Sequence, residues 1–357
     1  MKRTGTKRIG VVGAGMMASW HVERWLDLQR LGIAGRGHPV QIAGIFDKNQ
    51  QRAAELANTY TCPAFTELDG LLAACDIVDV CTPTDQHADV VVSAARVGKD
   101  VICEKPMARS LQDAQRMADV CEQAGVRLFI AHVVRFFSQY EGAKAALDAG
   151  KLGSPGVIRL SRGGSFPGRW YGDYARAGGV ILDLSIHDLD MARWCFGEVT
   201  QVFARGLTFD NIPECDHVII NLQFESGALG HVSGSWAYPA GKFVTALEVA
   251  GSDGIYEWNG FAPDPVLGSF DAGSDLTSVM NDMASPLAPE DDPYSKELAH
   301  ALDCITTGAP FRVEPADALA TLKLALAATA SVKQGTPIRL SEFSPSAADV
   351  LDTKVLA

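Results

Sequence analysis

Arg8-Ile-Gly-Val-Val-Gly13-Ala-Gly15-Met16-Met17-Ala18 opens the regular part of this chain, and its reading decides the fold. The apolar run 8–12 reads as a buried strand, and the pattern from Met16 to Leu31 reads as a helix. Between them Gly13 permits a tight turn, Gly15 lets a backbone approach a pyrophosphate, and Ala18 allows close helix–strand contact. The N–H groups and positive potential of the helix start suit phosphate. A lone glycine motif says little. A strand before it and a helix after it turn it into an expectation of dinucleotide binding, with a merely structural turn as the alternative.

The same alternation continues outward. Strands are expected at 40–46, weakly near 63–65, and at 76–81, 101–103 and 127–131. Helices are expected at 49–59, 85–97 and 111–124, with a short one after residue 65. Alternating βα units with continuous apolar strands predict a parallel sheet covered on both faces. Six strands over residues 1–132 match an α/β dinucleotide-binding domain.

After His132 the rhythm changes to a helix at 139–149 and then long alternating runs from Gly156, Val199, His217 and Ala228. Glu225-Ser226-Gly227 reads as a hairpin turn. Residues 133–340 are therefore expected to form an α+β domain with an open, mostly antiparallel sheet flanked by helices, two of them at 294–307 and 315–334. Residues 260–292 read as a long loop and 341–357 as a C-terminal tail.

A chain of 357 residues is long for one core, which agrees with two domains. The net charge of −12, without a basic run, argues against nucleic acid and anionic membranes as partners. No apolar stretch approaches the ~20 residues of a membrane span, and the polar N-terminus leaves no signal-peptide core. The cysteines never form C-x-x-C, so free buried thiols in a reducing cytoplasm are expected rather than disulfides or zinc.

Several polar residues stand where ligands bind in an open α/β sheet, at strand ends. Lys105, in Glu104-Lys105-Pro106, is a cation at the crevice with the character of a catalytic group. Asp47 ends the second strand, 32 residues beyond Gly15, where a carboxylate accepts from ribose hydroxyls; capping the next helix is its structural alternative. A carboxylate repels a 2′-phosphate and favours NAD, while Lys48 softens that repulsion and keeps NADP open. Cys81-Thr82-Pro83, with His87, shapes a wall for the nicotinamide half, or is simply a capped loop.

In Gly178-Gly-Val-Ile-Leu-Asp183-Leu-Ser-Ile-His187, the four-residue spacing puts Asp183 and His187 on one helix face. A histidine shuttles protons near neutral pH, and a carboxylate can orient it. A surface i,i+4 pair, or a metal site with Asp190, are the other readings; no metal is expected. Arg169, Trp170 and Tyr174 are candidates to stack on a substrate ring, or to pack the sheet edge.

Taken in order, Gly13-Ala-Gly15-Met16-Met17-Ala18, Thr82-Pro83 with His87, Glu104-Lys105-Pro106, Arg135-Phe136, and Gly178-Gly179 with Asp183 and His187 resemble the glucose–fructose oxidoreductase / inositol dehydrogenase (Gfo/Idh/MocA) family. The resemblance spans about Arg8 to Leu340 and implies a Rossmann domain binding NAD or NADP. It implies cofactor contacts from Gly13, Gly15, Met16, Met17, Asp47, Lys48, Cys81, Thr82, Pro83, His87, Glu104 and Lys105. By position, Lys105 resembles the lysine that contacts nicotinamide ribose and the reacting oxygen. Asp183 resembles the aspartate that holds substrate, and His187 the general acid/base. The family's substrates are sugars, inositols and related polyols. Its second-domain sheet often forms a homodimer or homotetramer, and a Lys-Pro bond like 105–106 is often cis. Ser138 departs from the family's usual proline. A non-catalytic nucleotide sensor and a redox-assisted sugar hydrolase or lyase remain as alternatives on this fold.

Overall fold

The computed structural model describes residues 5–31, 39–208, 216–260 and 291–345. The chain runs β1 (Lys7–Val12), α1 (Met16–Leu31), β2 (Val40–Phe46), α2 (Gln50–Tyr60), β3 (Ala64–Phe65), α3 (Leu68–Ala74), β4 (Ile77–Val80), α4 (His87–Arg96), β5 (Asp100–Glu104), α5 (Leu111–Ala124) and β6 (Leu128–Ala131). It continues with α6 (Ser138–Asp148), β7 (Pro155–Gly164), α7 (Tyr174–Ala177), a π-turn (Ile181–Ser185), α8 (Ile186–Phe196), β8 (Val199–Leu207), β9 (His217–Phe224) and β10 (Leu229–Ser235). Then follow β11 (Phe243–Gly251), β12 (Ile255–Asn259), α9 (Pro293–Thr307), α10 (Pro315–Gln334) and β13 (Ile338–Arg339).

The first sheet is parallel, in the order β3-β2-β1-β4-β5-β6. The strand order reverses between β1 and β4, which opens the crevice of a doubly wound fold at their C-terminal ends. Ile9, Val11, Ile77, Val78, Val101, Ile102, Phe129 and Ile130 are fully buried, as strands covered on both faces require. Local signals set the helix ends: Asn49 accepts from the Arg52 N–H and Ser110 from the Asp113 N–H, while Gly125 closes α5 in the left-handed region.

The chain divides into two compact units, Met1–Phe136 with Leu287–Leu319, and Phe137–Pro286 with Ala320–Ala357. The boundary expected from sequence, 1–132 against 133–340, thus misses a return of the chain to the first unit. There α9 packs on α1, with Trp20 edge-on to Tyr294 and the Arg24 guanidinium on Asp292. Phe311 packs against Phe129, and Arg127 lies over the Phe311 ring. Such contacts join residues far apart in sequence and leave no local pattern.

The second unit holds a sheet of order β12-β11-β7-β10-β9-β8-β13. All its pairings are antiparallel except β7 with β10. On β9, Val218, Ile220, Leu222 and Phe224 face the core, while Ile219, Asn221 and Gln223 are exposed. β11 and β12 were not anticipated: buried positions on β11 are irregular, and β12 has no fully buried residue. The expected loop 260–292 and tail 341–357 lie largely outside the described residues, as does the polar stretch after α1. Cys62, Cys75, Cys81, Cys103, Cys121, Cys195 and Cys304 are free thiols. Among the described residues no helix is long and apolar enough to cross a membrane.

Candidate active site

In the first unit the glycine turn forms as read. Gly13 has φ +113°, and a Cβ there would stand 2.6 Å from the Cys81 carbonyl oxygen, so only glycine fits. Gly15 is exposed, and a Cβ added there would meet nothing within 4 Å. The α1 N-terminus therefore has room for a phosphate beside the N–H groups of its first turn. Met16 and Met17 are half-buried beside it, and Ala18 is buried.

Asp47 accepts from the Ala14 N–H through Oδ2 and from the Asn49 N–H through Oδ1, both at 2.7 Å. The α2 cap is Asn49, not Asp47. The carboxylate is thus locked onto the glycine turn while retaining lone pairs for a ribose. Lys48 next to it is exposed.

At the ends of β4 and β5 the geometry sharpens the roles of four residues. Thr82 and Pro83 are half-buried at the crevice, whereas the Cys81 thiol points inward, 3.5 Å from His21 Nδ1. His87 is buried; its Nδ1 lies 3.0 Å from the Pro106 carbonyl oxygen and its Nε2 2.9 Å from that of Thr82. His87 is wedged between the two crevice loops with each ring nitrogen facing a backbone carbonyl, one of which its single N–H can bond, so neither nitrogen points to a cofactor. Burial pulls its pKa down against the two carbonyls that raise it. The Glu104 carboxylate is also turned inward, whereas Lys105 is half-buried and the Lys105–Pro106 bond is cis.

Beneath this crevice lies a buried polar cluster that motif reading missed. Asp79 accepts from Trp25 Nε1 at 2.7 Å and sits 3.0 Å from His21 Nδ1 through both oxygens. Glu297 on α9 is 0% exposed and neither carboxyl oxygen has a hydrogen-bond partner among the described residues. Burial, then the charges of Glu104 and Asp79, push its pKa well above the carboxylate range, against His21 and Arg312. One signal was available: Asp79 interrupts an apolar strand, and a buried charge requires partners.

The Glu297 shift fixes a pH dependence. Its folded pKa is raised, so between the ordinary carboxylate pKa and that raised value the folded state holds one proton more than the unfolded state. Stability is then lost as pH rises through that window. Glu297→Gln, which removes the ionisable group, is expected to raise Tm by about 3 °C or more at pH 8, with a smaller gain at pH 5.5. Thermal melts of both proteins at both pH values check this; an equal gain at the two pH values would contradict it.

In the second unit Gly178 and Gly179 have φ of +87° and +72° and lead into the π-turn that carries Asp183. Sequence spacing placed Asp183 and His187 on one α-helix; the residues between them are instead wound as a π-turn running into α8. From Gly178 to Arg193 every residue is buried except these two, which keep partial exposure. Packing explains this presentation. Gly234 on β10 lies against the π-turn, where a Cβ would come within 2.0 Å of Ser185 Oγ. Asp188 is held by the buried Arg162 guanidinium through two bonds of 2.8 and 2.9 Å, which pins α8 to β7. Asp190 faces inward and accepts from Thr321 at 3.2 Å, turned from the solvent side of the helix that a metal site with His187 would use.

The proposed ring-stacking residues separate. Trp170 is half-buried, stacked on Tyr171 at 4.3 Å, and Arg169 is exposed with a left-handed φ of +55°. Tyr174 is only 8% exposed, with Lys333 over its ring, and would sit 3.2 Å from a Cβ at Gly179. It packs the support of the glycine pair rather than offering a face to a ligand.

Two family models match the chain: the oxidoreductase family with an NAD-binding Rossmann fold over residues 7–132, and the GFO/IDH/MocA C-terminal domain over residues 140–257. A myo-inositol 2-dehydrogenase of Thermotoga maritima is 31% identical over 94% of this chain and 99% of its own length. The chain belongs to the Gfo/Idh/MocA oxidoreductase family.

Other members agree. A scyllo-inositol 2-dehydrogenase (NAD+) of Bacillus subtilis is 30% identical over 74% of this chain and 78% of its own. The crystal structure of a probable dehydrogenase from Thermotoga maritima superposes with a TM-score of 0.78 at 29% identity, covering 94% of this chain and 99% of that one. As a Gfo/Idh/MocA member, the chain is an oxidoreductase with an NAD-binding Rossmann domain. The open space at Gly15, the Gly13 turn and the anchored Asp47 fit that cofactor.

Proposed function

We propose that this protein is an NAD-dependent dehydrogenase oxidising a secondary hydroxyl of an inositol or a related polyol or sugar. The observation that carries the reading is the presentation of Asp183 and His187 as the two accessible side chains on an otherwise buried stretch. The inositol dehydrogenases among its relatives support the substrate class. NAD, held by the α1 N-terminus, Met16, Met17, Asp47, Thr82 and Pro83, supplies a hydride acceptor when bound. His187 removes the hydroxyl proton as general base. The Lys105 ammonium donates to the oxygen as negative charge develops there, the electrostatic contribution that is often the largest. Asp183 accepts from a substrate hydroxyl and orients it. Trp170 offers an aromatic face to the ring.

The reading includes a homo-oligomer built through the outer face of the second sheet. Leu207, Ile219, Leu229 and Ile255 are exposed large apolar residues there, and the pairing register puts all four on one face. The test of the activity is a panel of inositols and sugars with NAD, followed by NADH absorbance. NADH accumulation with at least one inositol is expected. Product formation with NAD unchanged would instead indicate a hydrolase or lyase cycle, and no turnover at any pH a nucleotide sensor.

A further inference from the structure

The buried cluster under the crevice has no part in the chemistry above, yet it leads to Lys105. It begins on α1, the helix whose first turn forms the phosphate cradle. His21 is fully buried there, with Asp79 on its Nδ1 side. On the other side of the ring, Nε2 stands 3.0 Å from Glu104 Oε1, an ion-pair contact somewhat off the hydrogen-bond axis. The second oxygen of the same carboxylate, Glu104 Oε2, accepts the Lys105 backbone N–H at 3.1 Å. One residue further, the Pro106 carbonyl oxygen lies 3.0 Å from His87 Nδ1.

The direction of the contacts matters. Asp79 is itself fixed by the Trp25 N–H, so it cannot turn away from His21. Cys81 completes the surround of Nδ1 at 3.5 Å and lies 3.6 Å from Asp79 Oδ1. His21, Asp79 and Cys81 offer three atoms that a metal could use. Asp79 already receives two donors, however, and the thiol is pushed up to about 12, first by burial and then by Asp79. The set is closed by hydrogen bonds among its own members. Burial lowers the His21 pKa, but Asp79 and Cys81 outweigh it and hold the imidazole well above its ordinary value. A cationic ring donates from Nδ1 to Asp79 and sets its charge against the Glu104 carboxylate beside Nε2, which suits two carboxylates on opposite sides.

We propose that His21 and Asp79 are positioning residues for Lys105: Asp79 orients the His21 ring, the ring fixes the Glu104 carboxylate, and that carboxylate holds the Lys105 N–H. The consequence for catalysis rests on the role given to Lys105 above. A small displacement of a reacting group costs up to ~10²-fold in rate, so the placement has a kinetic signature. A merely structural role would lower Tm and raise KM together. Positioning lowers kcat at nearly constant KM.

The test uses the full chain carrying His21→Ala, His21→Gln or the near-isosteric Asp79→Asn. It reads Tm, NAD affinity, steady-state kinetics, and the Lys105 backbone amide signal in a transverse-relaxation-optimised NMR spectrum. His21→Ala is expected to lower kcat by about 10²-fold with NAD and polyol KM changed by less than about threefold, and His21→Gln to recover part of the loss. The Lys105 amide signal moves upfield in all three as its charged acceptor loosens. If His21→Ala does not fold, Asp79→Asn carries both readings. An unmoved Lys105 amide in folded Asp79→Asn, or a kcat within about twofold of the parent, overturns the proposal. Lys105→Met turning over normally would overturn the catalytic role of the lysine instead, and the amide signal would still judge its placement.

Discussion

Lys105→Met is expected to lower kcat by about 10²–10³-fold or more, with NAD affinity kept within about threefold. The first figure follows from removing the charged donor proposed to stabilise the oxygen where negative charge develops. The second follows from the cradle: Gly13, Gly15 and Asp47, proposed above to hold the nucleotide, make none of their described contacts through the lysine side chain. Methionine keeps the length and most of the apolar stem, so the half-buried position stays filled. Stopped-flow hydride transfer and NAD titration by quenching of protein fluorescence separate the two quantities. Equal losses in affinity and rate would mean that Lys105 serves binding rather than the transition state.

His187→Gln is the second large effect, a fall in kcat of about 10²–10⁴-fold. It carries a pH signature that Lys105→Met lacks. An imidazole base must lose its own proton before it can accept one, so oxidation by the parent enzyme slows on the acid side. The glutamine variant should lose that acid limb and retain only a slow dependence on hydroxide. The backbone around it is well supported, since the Arg162–Asp188 pair holds the first turn of α8 and the Asp190–Thr321–Arg193 contacts hold the next. A pH–rate profile parallel to that of the parent would remove His187 from the role of base.

The parts of this molecule governed by local rules were legible before any coordinates. α1, β2, α5, β9 and α10 begin and end where the sequence reading put them, because glycine turns, caps and apolar period act over a few residues. The glycine turn at Gly13 belongs to the same class. What escaped were features set by partners distant in sequence. Two unremarkable helix residues, His21 and Trp25, acquire meaning only when β4 brings Asp79 beneath them. His87 reads as a cofactor residue from its motif, and only the spacing of two carbonyls shows it to be wedged between two loops. Tyr174 has the composition of a stacking residue, but the glycine pair folds onto it. The π-turn at 181–185 hides behind an ordinary helical pattern, since one extra residue per turn changes no residue type.

The return of residues 287–319 to the first unit has a consequence for how this protein divides. The nucleotide-binding half is not a module that ends where its last parallel strand ends. A fragment stopped at residue 132 would carry Trp20 and Phe129 without Tyr294 and Phe311, the rings of the returning segment that pack on them. Grafting this half onto another substrate domain therefore requires three splice points, one after Phe136 and one at each end of 287–319. Inheritance and engineering alike act on an interleaved pair rather than on beads along a string.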